Sequence, residues 1–203
     1  MRISPKGIFC LEGDWLSHLK RPSSVEPILA VIDHQLTPRR HHIHRDIGTI
    51  QELRYYLAKW TQKQYSGYPI LYLGFHGEKG TINIGDGRSG TSRVSLDDLG
   101  KHLAGACDRR LIHFTSCSTL GVNGHQLNSF LKKTRALAIS GYETDVDWIK
   151  SAAFELLVLS EFQYGALTHK GVTGMYDRIL KHAGGLAKEL QFRLIVNPDF
   201  ARK

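Results

Sequence analysis

Two stretches, Ile70–Gly77 (ILYLGFHG) and Arg110–Cys117 (RLIHFTSC), carry most of what this sequence says about its fold. Each is a continuous apolar run that ends on a reactive side chain, His76 followed by Gly77 in the first and Cys117 followed by Ser118 and Thr119 in the second. Runs without polar alternation are expected of strands buried on both faces, as in a parallel sheet covered by helices on either side. Ile28–Ile32 and Leu137–Ile139 have the same character, and Gly7–Leu11 reads as an edge strand.

Helical spacing fills the intervals. Ile50, Leu53, Leu57 and Trp60 form one apolar stripe, and Ser95 can cap a helix through Leu96, Leu99 and Leu103 with Asp97 and Asp98 at its positive end. Asn123 with Gln126 three residues on resembles a further helix start. Ile149, Ala152, Ala153, Leu156 and Leu157 mark one face of a longer helix. Met175 to about Ile195 also reads as helix, weakened or kinked at Gly184 and Gly185. Strands alternating with helices imply an α/β sandwich with a mainly parallel sheet, whose ligands bind beyond the carboxyl ends of the strands. His76 and Cys117 both fall there.

A chain of 203 residues fits one domain over 1–203 and can bury a substantial core. The hydrophobic fraction, 41%, and charged fraction, 23%, are those of ordinary globular proteins. Nothing approaches the roughly 18 consecutive apolar residues of a membrane span, and the N-terminus lacks the features of a secretory signal. Three cysteines without CxxC spacing argue against a disulfide framework or zinc site and for the reducing cytoplasm. Cys10 and Cys107 read as structural.

The net charge of +8 raises an acidic partner, but the basic residues are dispersed. The densest cluster, Arg39–Arg45 (RRHHIHR), lacks interleaved aromatics and reads as a solvated loop, so nucleic acid is not the expected partner. His41, His42 and His44 have no carboxylate or cysteine at ligand spacing, so no metal is assigned. Ile84–Gly90 (IGDGRSG) matches neither a P-loop nor a dinucleotide fingerprint and reads as a hairpin or mobile loop; no cofactor is implied.

A thiol and an imidazole at the ends of neighbouring strands are the minimum equipment of a cysteine nucleophile. Gly77 suits such a centre, because a residue without Cβ lets a substrate carbonyl approach a backbone N–H. A hydrophobic strand ending in His-Gly, then a second ending in Cys, resembles the caspase-like fold of cysteine peptidases, from about Ile28 to Gly165. The continuation beyond Cys117 looks closest to the bacterial CHAT proteases: a strand Ala138–Tyr142, an acidic turn Glu143–Trp148, then an amphipathic helix ending near Phe162–Gly165.

The resemblance implies a caspase-like three-layer sandwich. It makes Cys117 the nucleophile and His76 the general acid/base, with the N–H groups of Gly77 and Cys117 as the oxyanion hole. It further implies a protein or peptide substrate, control by a separate activator protein or by homo-oligomerisation, and, by analogy, an effector role in bacterial defence or regulated death. The caspase signature QACRG is replaced by FTSCST, and no long cleavable segment follows the cysteine.

Substrate preference stays open between two readings. Glu143 and Asp145 follow the strand after the nucleophile, where the family lines its pocket, and would select a basic side chain. Asp145 or Asp147 could instead cap the helix starting near Trp148. Arg45-Asp-Ile-Gly-Thr49 distantly resembles the caspase Arg-x-Gly-Thr segment and would select an acidic one, or it is a turn before the helix at Ile50. Two rival functions remain: a catalytically inactive caspase-like binding module, and a flavodoxin-like small-ligand binder in which the histidine and cysteine are incidental.

Overall fold

The computed structural model describes residues 5–16, 20, 23–36, 42–85 and 92–201, with only the backbone of Gln35 and Leu36. Its centre is a six-stranded sheet in the order β2-β1-β3-β7-β8-β9. The strands are β1 (Ile8–Glu12), β2 (His42–Asp46), β3 (Ile70–Gly74), β7 (Leu111–Phe114), β8 (Ala138–Tyr142) and β9 (Phe192–Val196). All pairings are parallel except β8 with β9. A small antiparallel sheet, β4 (His76–Glu78), β5 (Thr81–Asn83) and β6 (Arg93–Ser95), follows β3 directly.

Helices α2 (Ile50–Trp60), α3 (Leu96–His102) and α4 (Gly124–Thr134) cover one face. There Leu53, Leu57, Trp60, Leu99 and Leu127 pack against Leu71 and Leu73 of β3. Helices α1 (Glu26–Leu36), α5 (Trp148–Gln163) and α6 (His169–Glu189) cover the other, where Leu29, Phe154, Val158 and Met175 pack against Ile70 and Tyr72. The period-two alternation of a strand sends neighbouring residues to opposite cores. Burial of both sets is why β3 and β7 read as unbroken apolar runs. The three-layer α/β architecture expected from the sequence is the one found.

The caps read at Ser95 and Asn123 are formed, and Thr49 adds one that the sequence reading did not assign. Ser95 accepts from the Asp98 N–H and Asn123 from the Gln126 N–H, while Thr49 and Glu52 close a capping box on α2. The backbone of α6 breaks from helix at Ala183, beside the expected Gly184–Gly185 weak point.

Four expectations are corrected. Ile28–Ile32 is not a strand but the middle of α1. Val25, Leu29 and Ile32 are buried at helical spacing while Val31 is 50% exposed, and Pro27 lies in the first turn, where a missing N–H costs little. Gly7–Leu11 is not an edge: β1 lies between β2 and β3. The basic cluster is not all loop, since His42–Asp46 forms the edge strand β2; Arg39–His41 lie outside the described residues. The C-terminal helix stops at Glu189, and Phe192–Val196 returns as antiparallel β9.

On α5 the buried face is Phe154, Val158, Leu159 and Phe162, with Glu155, whereas Ile149 is 72% exposed. That helix is apolar nearly all round, so periodicity alone does not choose its inner face. Ile84 and Ser92 close the β5–β6 hairpin, and the rest of the glycine-rich stretch, 86–90, lies outside the described residues. Among the described residues no helix is long and apolar enough to cross a membrane.

Candidate active site

The connection from β1 runs to β2 on one side of the sheet, and that from β3 runs to β7 on the other. Where the winding reverses, the loops beyond the carboxyl ends part and leave a crevice, the usual ligand position of such sheets. Trp15 follows β1 at this crevice, and His76 follows β3.

The parallel register pairs Leu73 with Phe114, so His76 and Cys117 each lie three residues beyond a matched pair. Gly77, the residue after His76, packs closely against the Cys117 loop. A Cβ placed on Gly77 would fall 2.3 Å from the Cys117 carbonyl oxygen, 2.5 Å from Thr119 Oγ1 and 2.7 Å from Ser116 Cβ. The Gly80 N–H donates to Thr119 O at 3.1 Å, tying the β4–β5 turn to the cysteine loop. That loop is fixed on either side of the thiol: Thr115 N–H donates to Leu73 O and Ser118 N–H to Thr144 O. Ser118 sits at φ 55°, the left-handed region that a side chain rarely occupies, and such strain concentrates at functional turns.

His76 is half-buried, and its Nε2 donates to the Trp15 carbonyl at 2.9 Å, while the two rings meet edge-on at 5.3 Å. Because a carbonyl only accepts, this bond places the proton on Nε2 and leaves Nδ1 as the basic nitrogen. No orienting carboxylate is legible in the sequence; the orienting group here belongs to the main chain. Trp15 is pinned in turn, its indole N–H donating to Glu12. The buried Glu12 carboxylate also accepts from Val25 N–H, Ser24 Oγ and His44 Nε2. One buried acid therefore holds both ends of the segment that presents the Trp15 carbonyl.

His44 thus does meet carboxylates, which the sheet brings from elsewhere in the chain: Glu12, His44 and Asp46 place three candidate ligand atoms within 4.8 Å of one another. Each Glu12 oxygen already accepts two hydrogen bonds, so the group is read as an anchor. The hydrogen bond to Glu12 raises the His44 pKa above its ordinary value of 6.5. A raised folded-state pKa adds stability that is complete below the unfolded value and vanishes as pH climbs through the folded one. Denaturant midpoints measured upward from pH 6.5 should fall across that window in the wild type, and His44→Gln should flatten this portion of the profile.

The three thiols differ in kind. Cys10 and Cys107 are buried, and burial pushes their pKa values up, well above the usual range for Cys10 and to about 12 for Cys107. Both are held as inert thiols. Cys117 alone is half-exposed.

Beside Cys117 lies a narrow cavity of about 50 Å³ between Trp15, Val146 and Trp148, with Tyr72, Thr115 and Glu155 also in its wall. The Trp15 and Trp148 rings meet edge-on at 5.1 Å. Glu155 is 2% exposed and accepts from Tyr142 Oη and from His113 Nε2 at 2.8 Å, while His113 Nδ1 lies 2.7 Å from Ser140 Oγ. The Tyr72 hydroxyl is buried and has no partner among the described residues. Sequence reasoning missed Trp15, Tyr72 and Glu155. A Glu within an apolar helical run was the one available signal, since a buried carboxylate needs a reason.

The tentative substrate residues are scattered. Asp145 is exposed and accepts from Ser118 Oγ at 2.8 Å, one residue from the nucleophile position. Asp147, not Asp145, caps α5. Glu143 is paired with Arg193 at 2.8 Å. Arg45 lies near the end of the edge strand β2, three strand spacings or roughly 14 Å from β7, and donates to the neighbouring His44 carbonyl. The Gly48–Thr49 segment that follows it is the helix-capping turn of α2.

These features define an α/β protein of caspase-like fold. A solved structure described as "structure of pro-sf-caspase-1" matches with a TM-score of 0.54 over 93% of this chain and 85% of that one, at 11% sequence identity, which speaks to the fold alone. Residues 5–196 match the model of DUF6642, a family of unknown function, and the chain belongs to that family. No curated protein matches it.

Proposed function

We propose that this protein is a cysteine peptidase that hydrolyses peptide bonds through a Cys117–His76 dyad. The observation that carries the reading is the close approach of Gly77, the residue after His76, to the Cys117 loop, together with the Trp15 carbonyl that leaves His76 Nδ1 free to act as base. His76 would take the thiol proton, and the thiolate would attack the substrate carbonyl. The developing oxyanion would be met by the N–H groups of Gly77 and Cys117. Protonated His76 would then return its proton to the leaving amine, and water would release the acyl group. The sequence pattern beyond Cys117 supports a CHAT-type protease, which would be controlled by a partner protein or by self-association.

The side chain before the scissile bond would enter the cavity beside Cys117, parting Trp15 and Trp148. Its volume of about 50 Å³ suits an unbranched chain. The buried Glu155 carboxylate in the cavity wall favours a basic residue, lysine before arginine, and Asp145, bonded to Ser118, adds a second negative charge nearby. An unbiased peptide library tests both halves of the reading. Wild-type protein should cleave after basic residues, and Glu155→Gln should lower cleavage after lysine relative to glutamine by about tenfold or more, the discrimination expected of one charged contact. Cleavage after Asp would overturn the pocket assignment. Peptide binding without turnover would favour the inactive binding module.

A further inference from the structure

At the opposite end of the sheet, before the first residues of β1, β3 and β7, lies an open cavity of about 1330 Å³ that the peptidase reading does not use. Arg110 precedes β7 and Cys117 lies beyond its carboxyl end, with the strand's four residues, roughly 13 Å, between them, so the two sites are distinct. The cavity wall carries four cationic side chains, Lys6, Arg109, Arg110 and Arg178, against the carboxylates of Asp108 and Glu161. Glu161 is committed to Arg178 at 2.6 Å. Burial and then the Arg178 charge lower the Lys6 pKa, and burial lowers that of Arg110, whose guanidinium lies 4.6 Å over the Trp60 ring. Cations have been drawn together and partly desolvated without a matching number of anions.

Two buried donors in the same wall lack partners. Arg110 Nη1 and Gln163 Nε2 make no hydrogen bond among the described residues, although Arg110 is 8% exposed and Gln163 only 1%. The Gln163 amide orientation is fixed, because its Oε1 accepts from the Lys6 N–H at 2.8 Å, while Lys6 Nζ donates to the Gln163 carbonyl at 2.9 Å. Buried polar groups in folded proteins are rarely left unpaired; both orphans sit just behind the wall, closed to solvent, and would meet a ligand that draws their side chains into the cavity. Thr168, the N-cap of the 21-residue helix α6, lines the cavity too and brings the helix's positive end.

The spacing narrows the ligand. Lys6 and Arg110 lie just before the matched residues Ile8, Ile70 and Leu111 of three adjacent strands, hence about two strand spacings or roughly 10 Å apart. A chain of phosphoryl groups can meet cations spread along the wall from Lys6 to Arg110, where one small anion would meet fewer of them. We propose that this cavity binds an oligophosphate, either a nucleoside triphosphate or an inorganic polyphosphate, with Lys6 and Gln163 at one end and Arg110 at the other. The site stands independently of the peptidase reading.

Calorimetric titration with ATP, tripolyphosphate and inorganic phosphate tests it, against sodium chloride at equal ionic strength. ATP or tripolyphosphate should bind well above the salt control, and more tightly than inorganic phosphate. Arg110→Gln and Gln163→Leu should each weaken binding by about tenfold or more. Arg93→Gln, which removes a cation paired with Glu78 on the small sheet, should change nothing. Tighter binding of ATP than tripolyphosphate assigns a nucleotide, and equal binding assigns a polyphosphate chain. A response reproduced by sodium chloride, or one indifferent to both cavity variants, overturns the proposal. If Arg110→Gln does not fold, Gln163→Leu and the acylation rate of Lys6 decide: bound ATP should slow labelling of Lys6 about tenfold, and an unchanged rate overturns the assignment.

Discussion

Replacing Cys117 with alanine is expected to lower kcat/KM for peptide hydrolysis by at least about a thousandfold while leaving the melting temperature within a few degrees of wild type, because nucleophile removal in covalent hydrolases costs on that scale. The side chain is half-exposed in a loop held by backbone hydrogen bonds from Thr115 and Ser118, so the fold does not rest on its sulfur. His76→Ala should fall to a similar level, and the double variant should lose little more than either single one, since the two act as a unit. Hydrolysis that persists in Cys117→Ala would assign the chemistry elsewhere. Losses that multiply in the double variant would mean two independent functions instead of one dyad.

Gly77→Ala is the second large effect. The added methyl group would lie 2.3 Å from a main-chain oxygen, that of Cys117, and 2.7 Å from Ser116 Cβ. Neither neighbour is the free end of a flexible side chain, so the cysteine loop or the β4 strand has to move. Forced overpacking of this kind costs about 1–3 kcal/mol. Displacing one oxyanion donor lowers kcat by about 10²–10³-fold. Denaturant midpoint and kcat should therefore both fall, and kcat should fall further than the stability loss explains. A Gly77→Ala protein with wild-type kcat would contradict the close approach of these two loops.

The sequence shows the parts whose physical cause is local. β3, β7 and β8 lie in runs buried on both faces, and Thr49, Ser95 and Asn123 cap helices within three residues of themselves. It hides whatever depends on a distant partner. Ile28–Ile32 is five apolar residues long, too short for periodicity to separate strand from helix, and Pro27 was the overlooked sign. β2 reads as polar because it is an edge, with His42 and His44 facing Asp33 and Glu12 rather than a hydrophobic core.

The orienting partner of His76 could not be read from residue types at all. It is the carbonyl of Trp15, and any residue there supplies a carbonyl; what matters is the Glu12 network that holds the segment in place. Glu155 was passed over because its helix offers apolar residues on every side, and only the packed structure shows which side faces Tyr142 and His113. Asp145 and Arg45, by contrast, were singled out from order along the chain. The structure keeps the first near Cys117 and leaves the second on the edge strand.

Cys117, activated by His76, is expected to be the nucleophile of peptide hydrolysis. Intact-mass and peptide mapping after treatment with a mixture of peptidyl acyloxymethyl ketones, carrying Lys, Arg, Gln, Asp or Leu before the reactive carbonyl, measures this directly. A single adduct on Cys117 is expected, forming fastest with the lysine reagent and lost in His76→Ala. An unlabelled Cys117, or a Cys117 labelled equally fast without His76, would contradict it.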